Sequence, residues 1–113
     1  NRLLAAQEAA ATWNQTVVLK GAHTVVAAPD GRTHVSDVAN AGLATAGTGD
    51  VLAGIIAGLA AQGLTPFDAA CCGVFLHGMA GEMVTAELGD TGMLAGDLLP
   101  AIPLAIKKVK NGI

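Results

Sequence analysis

The stretch NAGLATAGTGDVLAGIIAGL, residues 40–59, decides how the chain is read. Its first half is small residues without periodicity, a loop, and its second half is an apolar helix. At the junction stand Gly47, Thr48, Gly49 and Asp50. Two readings fit them. In one, Thr48 or Asp50 is a helix cap that satisfies free N–H groups and complements the helix dipole. In the other, the glycines bare the backbone, and the loop and helix N-terminus cradle an anion such as phosphate. A carboxylate would repel that phosphate. Asp50 would instead act on the reaction partner, as a general base taking a proton from an attacking hydroxyl.

Outward from this junction, residues 50–61 read as a helix stopped at Gly63. Thr65-Pro66-Phe67-Asp68 opens the next, with Thr65 as cap, Pro66 in the first turn and Asp68 completing a capping box. This helix runs to Leu88 with a small stripe of Ala69, Gly73, Leu76 and Ala80, and a last helix is expected over residues 97–108. Upstream, residues 3–13 are an Ala-rich helix stopped at Asn14. Residues 16–19 are apolar without alternation, as in a strand covered on both faces, and 24–28 and 32–35 are further strands around a Pro29-Asp30-Gly31 turn. The order is a helix, three strands, then three helices: an α/β class with too few strands for its helices. Lys20 is either a surface residue or stands with the amides after it at the carboxyl end of a buried strand, where open α/β sheets bind ligands.

Length and composition bound the function. The 113 residues make one domain, and with 52% hydrophobic and 13% charged residues the chain can bury a core. A net charge of -3, with no basic run before Lys107, Lys108 and Lys110, argues against a nucleic-acid partner. Residues 51–61 are the longest run without a polar side chain. They fall short of the ~20 residues of a membrane span. Cys71 and Cys72 are adjacent, read as buried hydrophobes of a reducing, cytoplasmic compartment, and have no zinc-site spacing. His77 reads as a packed core residue, and His23 and His34 as loop or edge positions. Glu82, Glu87 and Asp90 read as solvated, and no metal ligand is identified. Asn1-Arg2-Leu3-Leu4 has neither an initiator Met nor a signal-peptide layout, so the chain is expected to be part of a longer protein.

VVLKGAHTVVAAPDGR, NAGLATAGTGDVLAGIIAGLAAQG, AACCGVFLHGMAGEM and GMLAGDLLPAIP, in this order, resemble the C-terminal half of the NAD(P)H-hydrate dehydratases, ribokinase-like repair enzymes. The resemblance implies a doubly wound sheet with helices on both faces, of which residues 1–113 are the C-terminal portion. It implies a carbon–oxygen lyase that returns the S-epimer of hydrated NAD(P)H (NAD(P)HX) to NAD(P)H. ADP or ATP is the co-substrate that turns the hydroxyl into a leaving group, with Mg2+ on the phosphates. Asp50 would contact the substrate as catalytic base. Lys20, Gly21, Ala22, His23 and Thr24 match a KGxxT nucleotide segment, and Asn40, Ala46, Gly47, Thr48 and Gly49 a second nucleotide loop. The implied partners are the N-terminal half of the same domain, a fused NAD(P)HX epimerase domain, and further copies in a homo-oligomer, a tetramer. Alone, the chain is expected to be inactive. The junction's chemistry would equally serve a small-molecule kinase of this fold, for a vitamin precursor or a sugar, or a non-catalytic nucleotide-binding module.

Overall fold

A short antiparallel meander stands between helices in the computed structural model, which describes residues 1–39, 43, 47–89 and 91–112. Helix α1 (Arg2–Trp13) starts at Asn1, whose side chain accepts from the Leu4 N–H, and ends at Asn14 in the left-handed conformation, φ 52°. Asn is one of the few residues that adopt it cheaply. Strands β1 (Val17–Leu19), β2 (Val25–Ala27) and β3 (Thr33–Val35) follow in the order β1-β2-β3, with Val18 opposite Val26 and Val26 opposite His34. The connections are too short for a parallel crossover, so both pairings are antiparallel.

Side chains alternate across this sheet. Val25 and Ala27, with Val17 and Leu19, pack on Ala6 and Ala10 of α1. Val26 and Val18 face the other way, onto Leu52, Ala70 and Val74. Both faces are covered, as residues 16–19 suggested. β2 is fully buried, whereas β1 is half-buried, because among the described residues it pairs on one edge only.

The opposite layer is α2 (Thr48–Ala61) and α3 (Pro66–Leu88), followed by α4 (Ala95–Leu98) and α5 (Ala101–Lys110). α3 begins much as its sequence dictates: Thr65 Oγ1 accepts from the Asp68 N–H at 3.3 Å and Pro66 lies in the first turn, which is the Thr65 half of the expected capping box without a return bond from the Asp68 side chain. Ala69, Gly73, Leu76 and Ala80 are all buried. The small stripe has a steric reason, since a Cβ at Gly73 would stand 2.5 Å from Ile56 Cγ1 and 3.5 Å from its backbone. α3 is long and apolar enough to cross a membrane, but more than half of its most apolar 18-residue window is buried in the fold, as in a core helix. Ala80 and Val84 close a second cluster with Met93, Leu98 and Ala101.

Three expectations are corrected. α2 starts at Thr48, two residues before Asp50, because Gly47 takes the cap position. The expected last helix is two helices, broken at Pro100, which has no N–H to continue the ladder. The cysteines are free thiols but not both buried: Cys71 is half-buried, its thiol pKa raised by desolvation, and Cys72 is exposed. Apolar surface is left over, with Phe75, Leu94, Leu99 and Leu104 each at least half exposed. Glu82 and Glu87 are exposed as read, and Asp90 lies outside the described residues.

Candidate functional site

β1 ends at Leu19, so Lys20 leaves the sheet at the carboxyl end of the strand. The N-terminus of α2 arrives at the same place. Lys20 Nζ lies against the α-carbon of Gly49, so close that a Cβ there would overlap it. Two segments some thirty residues apart, read separately as nucleotide loops, are thus brought together.

Gly47 is the cap residue of α2 with φ 90° and ψ -13°, a left-handed conformation that favours glycine. Its carbonyl accepts from the Asp50 and Val51 N–H groups at 3.1 and 3.3 Å. No side chain caps the helix, and the Thr48 hydroxyl donates instead to the Leu43 carbonyl. Neither Thr48 nor Asp50 therefore caps the helix with its side chain, although Asp50, in the first turn, still complements the helix dipole. Asp50 is exposed in the first turn. Among the described residues the ion pair is Arg32 with Asp30, so neither Asp50 nor Lys20 is spent on a salt bridge.

Residues 20–24 form a tight loop. Thr24 Oγ1 accepts from the Gly21 N–H at 3.4 Å and donates to the Gly21 carbonyl at 3.1 Å. His23 is left-handed at φ 57°; its backbone N–H donates to Val38 at 3.0 Å and its Nδ1–H to the Ser36 carbonyl at 2.9 Å. Ala22 is exposed on the crest. Asn40 and Ala46, the other expected members of the second loop, lie outside the described residues.

Two residues not assigned to the site from sequence also meet it. Arg2, at the start of α1, donates to three carbonyls of this loop, Lys20, Ala22 and His23, and to that of Leu19 at the end of β1. His77, buried on α3 as expected, donates through Nε2–H to the Thr48 carbonyl at 3.0 Å. Burial pushes its pKa below the ordinary histidine value; the Thr48 bond opposes this and the Lys20 charge adds to it.

No group of three or more His, Cys, Asp or Glu side chains exists among the described residues, so none forms a protein-only metal cage. Mg2+ often needs only one or two carboxylates alongside phosphates and water, and Asp50 is the carboxylate in the first turn of α2. A separate groove of about 350 Å3, lined by Met83, Leu88, Pro100 and Leu104, contains none of these residues.

The architecture recurs in solved structures. An ADP/ATP-dependent NAD(P)H-hydrate dehydratase from Bacillus subtilis, co-crystallised with ATP/Mg2+, matches 96% of this chain with a TM-score of 0.90 and 37% identity. The chain covers 39% of that protein. The fold is accordingly α/β and ribokinase-like, present here in part. The sequence model of the NAD(P)H-hydrate dehydratase family matches residues 1–104, and the chain belongs to that family. It is 46% identical over its whole length to a bifunctional NAD(P)H-hydrate repair enzyme of Moorella thermoacetica, spanning 21% of that protein. It is 49% identical over 102 residues to an ADP-dependent (S)-NAD(P)H-hydrate dehydratase of Neisseria meningitidis, covering 89% of this chain and 34% of the relative. The chain thus spans about a fifth to two fifths of the proteins it matches.

Proposed function

We propose that residues 1–113 are the C-terminal portion of a single ribokinase-like dehydratase domain, which uses ADP or ATP to return the S-epimer of hydrated NAD(P)H to NAD(P)H. Lys20, Gly21, Ala22, His23 and Thr24 form one wall of the nucleotide site, and Asn40, Ala46, Gly47, Thr48 and Gly49 the other. The Lys20 ammonium and the amide end of α2 hold the phosphates. Asp50 removes the proton of the substrate's ring hydroxyl, whose oxygen attacks the terminal phosphorus while the nucleotide departs with the bridging oxygen. The ring then loses a neighbouring proton, the carbon–oxygen bond breaks with inorganic phosphate leaving, and the double bond returns. Phosphate leaves where hydroxide would not. Mg2+ carried by the nucleotide would offset phosphate charge, and Asp50, the carboxylate in the first turn of α2, would be the side chain to hold it alongside phosphate oxygens and water.

The observation that carries this reading is Lys20 Nζ against Gly49, one residue before an exposed Asp50 at an uncapped helix start. The remaining nicotinamide contacts belong to an N-terminal portion of the same domain, which would also cover the exposed apolar side chains. The enzyme acts in the cytoplasm, as a homo-oligomer such as a tetramer, with an epimerase domain fused as in bifunctional relatives. The test is to incubate the full-length polypeptide carrying this chain with hydrated NADH and ADP, and to follow the absorbance of the reduced nicotinamide. Recovery with phosphate release supports the assignment. No recovery, with phosphate transferred intact to a sugar or vitamin precursor, makes the protein a kinase. Isolated, the 113 residues should show negligible turnover.

A further inference from the structure

We propose that Arg2 is a positioning residue of the nucleotide site, the residue that sets the 20–24 loop so that Lys20 reaches Gly49. The inference rests on the reading of that loop as a nucleotide wall. One guanidinium donates to Ala22 at 3.0 Å and His23 at 3.1 Å through one terminal nitrogen, and to Leu19 and Lys20, both at 3.0 Å, through the other. Four carbonyls within five residues would repel one another without a cation among them. In a trans peptide the N–H points opposite to the C=O. Turning these carbonyls to Arg2 therefore turns the amides of Lys20, Gly21, His23 and Thr24 away from it. Two of these amides are held in turn, Gly21 by Thr24 Oγ1 and His23 by the Val38 carbonyl, so the loop is gripped from both sides.

The grip has a conformational purpose. His23 is left-handed at φ 57°, an uncommon conformation outside glycine that histidine tolerates better than most residues and that the surrounding bonds hold here. Gly21, at φ 156°, must also lack a side chain, since a Cβ would stand 2.8 Å from Arg2 Nη2. Lysine could not replace the arginine, because its compact ammonium lacks the planar fork that reaches two carbonyl pairs at once. Arg2 is thus assigned no contact with the reacting atoms. It fixes the backbone from which Lys20 extends.

The experiment compares wild type, Arg2→Ala, Arg2→Lys and Lys20→Ala in the full-length polypeptide, by calorimetric titration with ADP and by steady-state turnover. Arg2→Ala should weaken ADP binding by about tenfold or more, as expected when charge-assisted bonds that order a loop are lost. It should raise the nucleotide KM with kcat at saturating ADP kept within about threefold. Guanidinium ion at sub-denaturing concentration should restore affinity to Arg2→Ala but not to Lys20→Ala, and Arg2→Lys should behave like the alanine variant. Unchanged ADP affinity in Arg2→Ala overturns the proposal, as does a loss that guanidinium cannot rescue. Should Arg2→Ala not fold, Arg2→Lys decides alone: a raised KM supports the proposal and an unchanged KM overturns it. If wild type itself binds no ADP, the nucleotide reading of the loop fails and this inference with it. If wild type binds and Lys20→Ala does not, only the part given to Arg2 is at stake.

Discussion

The ammonium of Lys20 occupies the space that a side chain on Gly49 would need. Gly49 has no left-handed backbone, so its lack of a Cβ serves this contact and not a turn. Gly49→Val should displace a flexible lysine while leaving the fold intact. ADP affinity should fall about tenfold, with the melting temperature within about 4 °C of wild type. Titration and a thermal melt check both, and unaltered affinity would remove the anion-holding role of this junction.

Gly47 behaves oppositely. Its φ is 90°, and a Cβ would lie 3.1 Å from Ala95 Cβ on α4. Gly47→Ala should therefore cost about 1–2 kcal/mol of stability from the left-handed backbone alone, read as a lower urea midpoint. Because the helix start shifts with it, ADP binding should weaken too. The two glycine variants together separate backbone strain from occupied space.

Asp50→Asn removes the base and leaves the shape. Turnover should drop by about 10²–10⁴, while ADP binds as well as before, or better, with one negative charge fewer near its phosphates. An unchanged rate would leave Asp50 without a role in proton removal.

His77 supplies a pH dependence with a defined sign. Its folded pKa lies below the unfolded value, chiefly through burial, so the folded state resists protonation. Its contribution to stability is complete above the ordinary histidine pKa of about 6.5. It is lost as pH falls from there through the depressed folded value, because the unfolded chain binds the proton first. His77→Gln, which keeps a donor for the Thr48 carbonyl, should flatten the stability profile of the full-length protein below about pH 6.5. Equal slopes for the two proteins would mean that other groups set the acid limb.

What could be read from the chain was local. Thr65-Pro66-Phe67-Asp68 announces a helix start because cap and first turn adjoin in sequence, and the hydroxyl-to-amide bond is there. The apolar run at residues 16–19 announces cover on both faces, and α1 and α2–α3 provide it. The meeting of Lys20 with Gly49 was expected from the strand-end rule and the family resemblance. Arg2 and His77 were not assigned to the site, since their partners lie 17–21 and 29 residues away. A left-handed glycine cap looks, as a letter, like any loop glycine, which is why α2 was expected two residues late. The last helix was legible over residues 97–108, but not its break into two at Pro100.

The outer edge of β1 has a practical consequence. Among the described residues Val17, Val18 and Leu19 pair as a strand on one side only, with β2, and carry neither proline nor charge themselves. Natural edges are guarded by lysine, bulges or covering loops. Two cations stand at the end of the strand and both are engaged there, Lys20 against Gly49 and Arg2 on the Leu19 and Lys20 carbonyls. Produced by itself, the polypeptide should stick edge to edge, copy on copy, with turbidity that grows with concentration. A charged residue in place of Val18 would trade that stickiness for a hole in the apolar layer against Leu52, since Val18 packs inward. The cure for clumping is therefore a neighbouring strand, supplied in the same chain or added as a peptide.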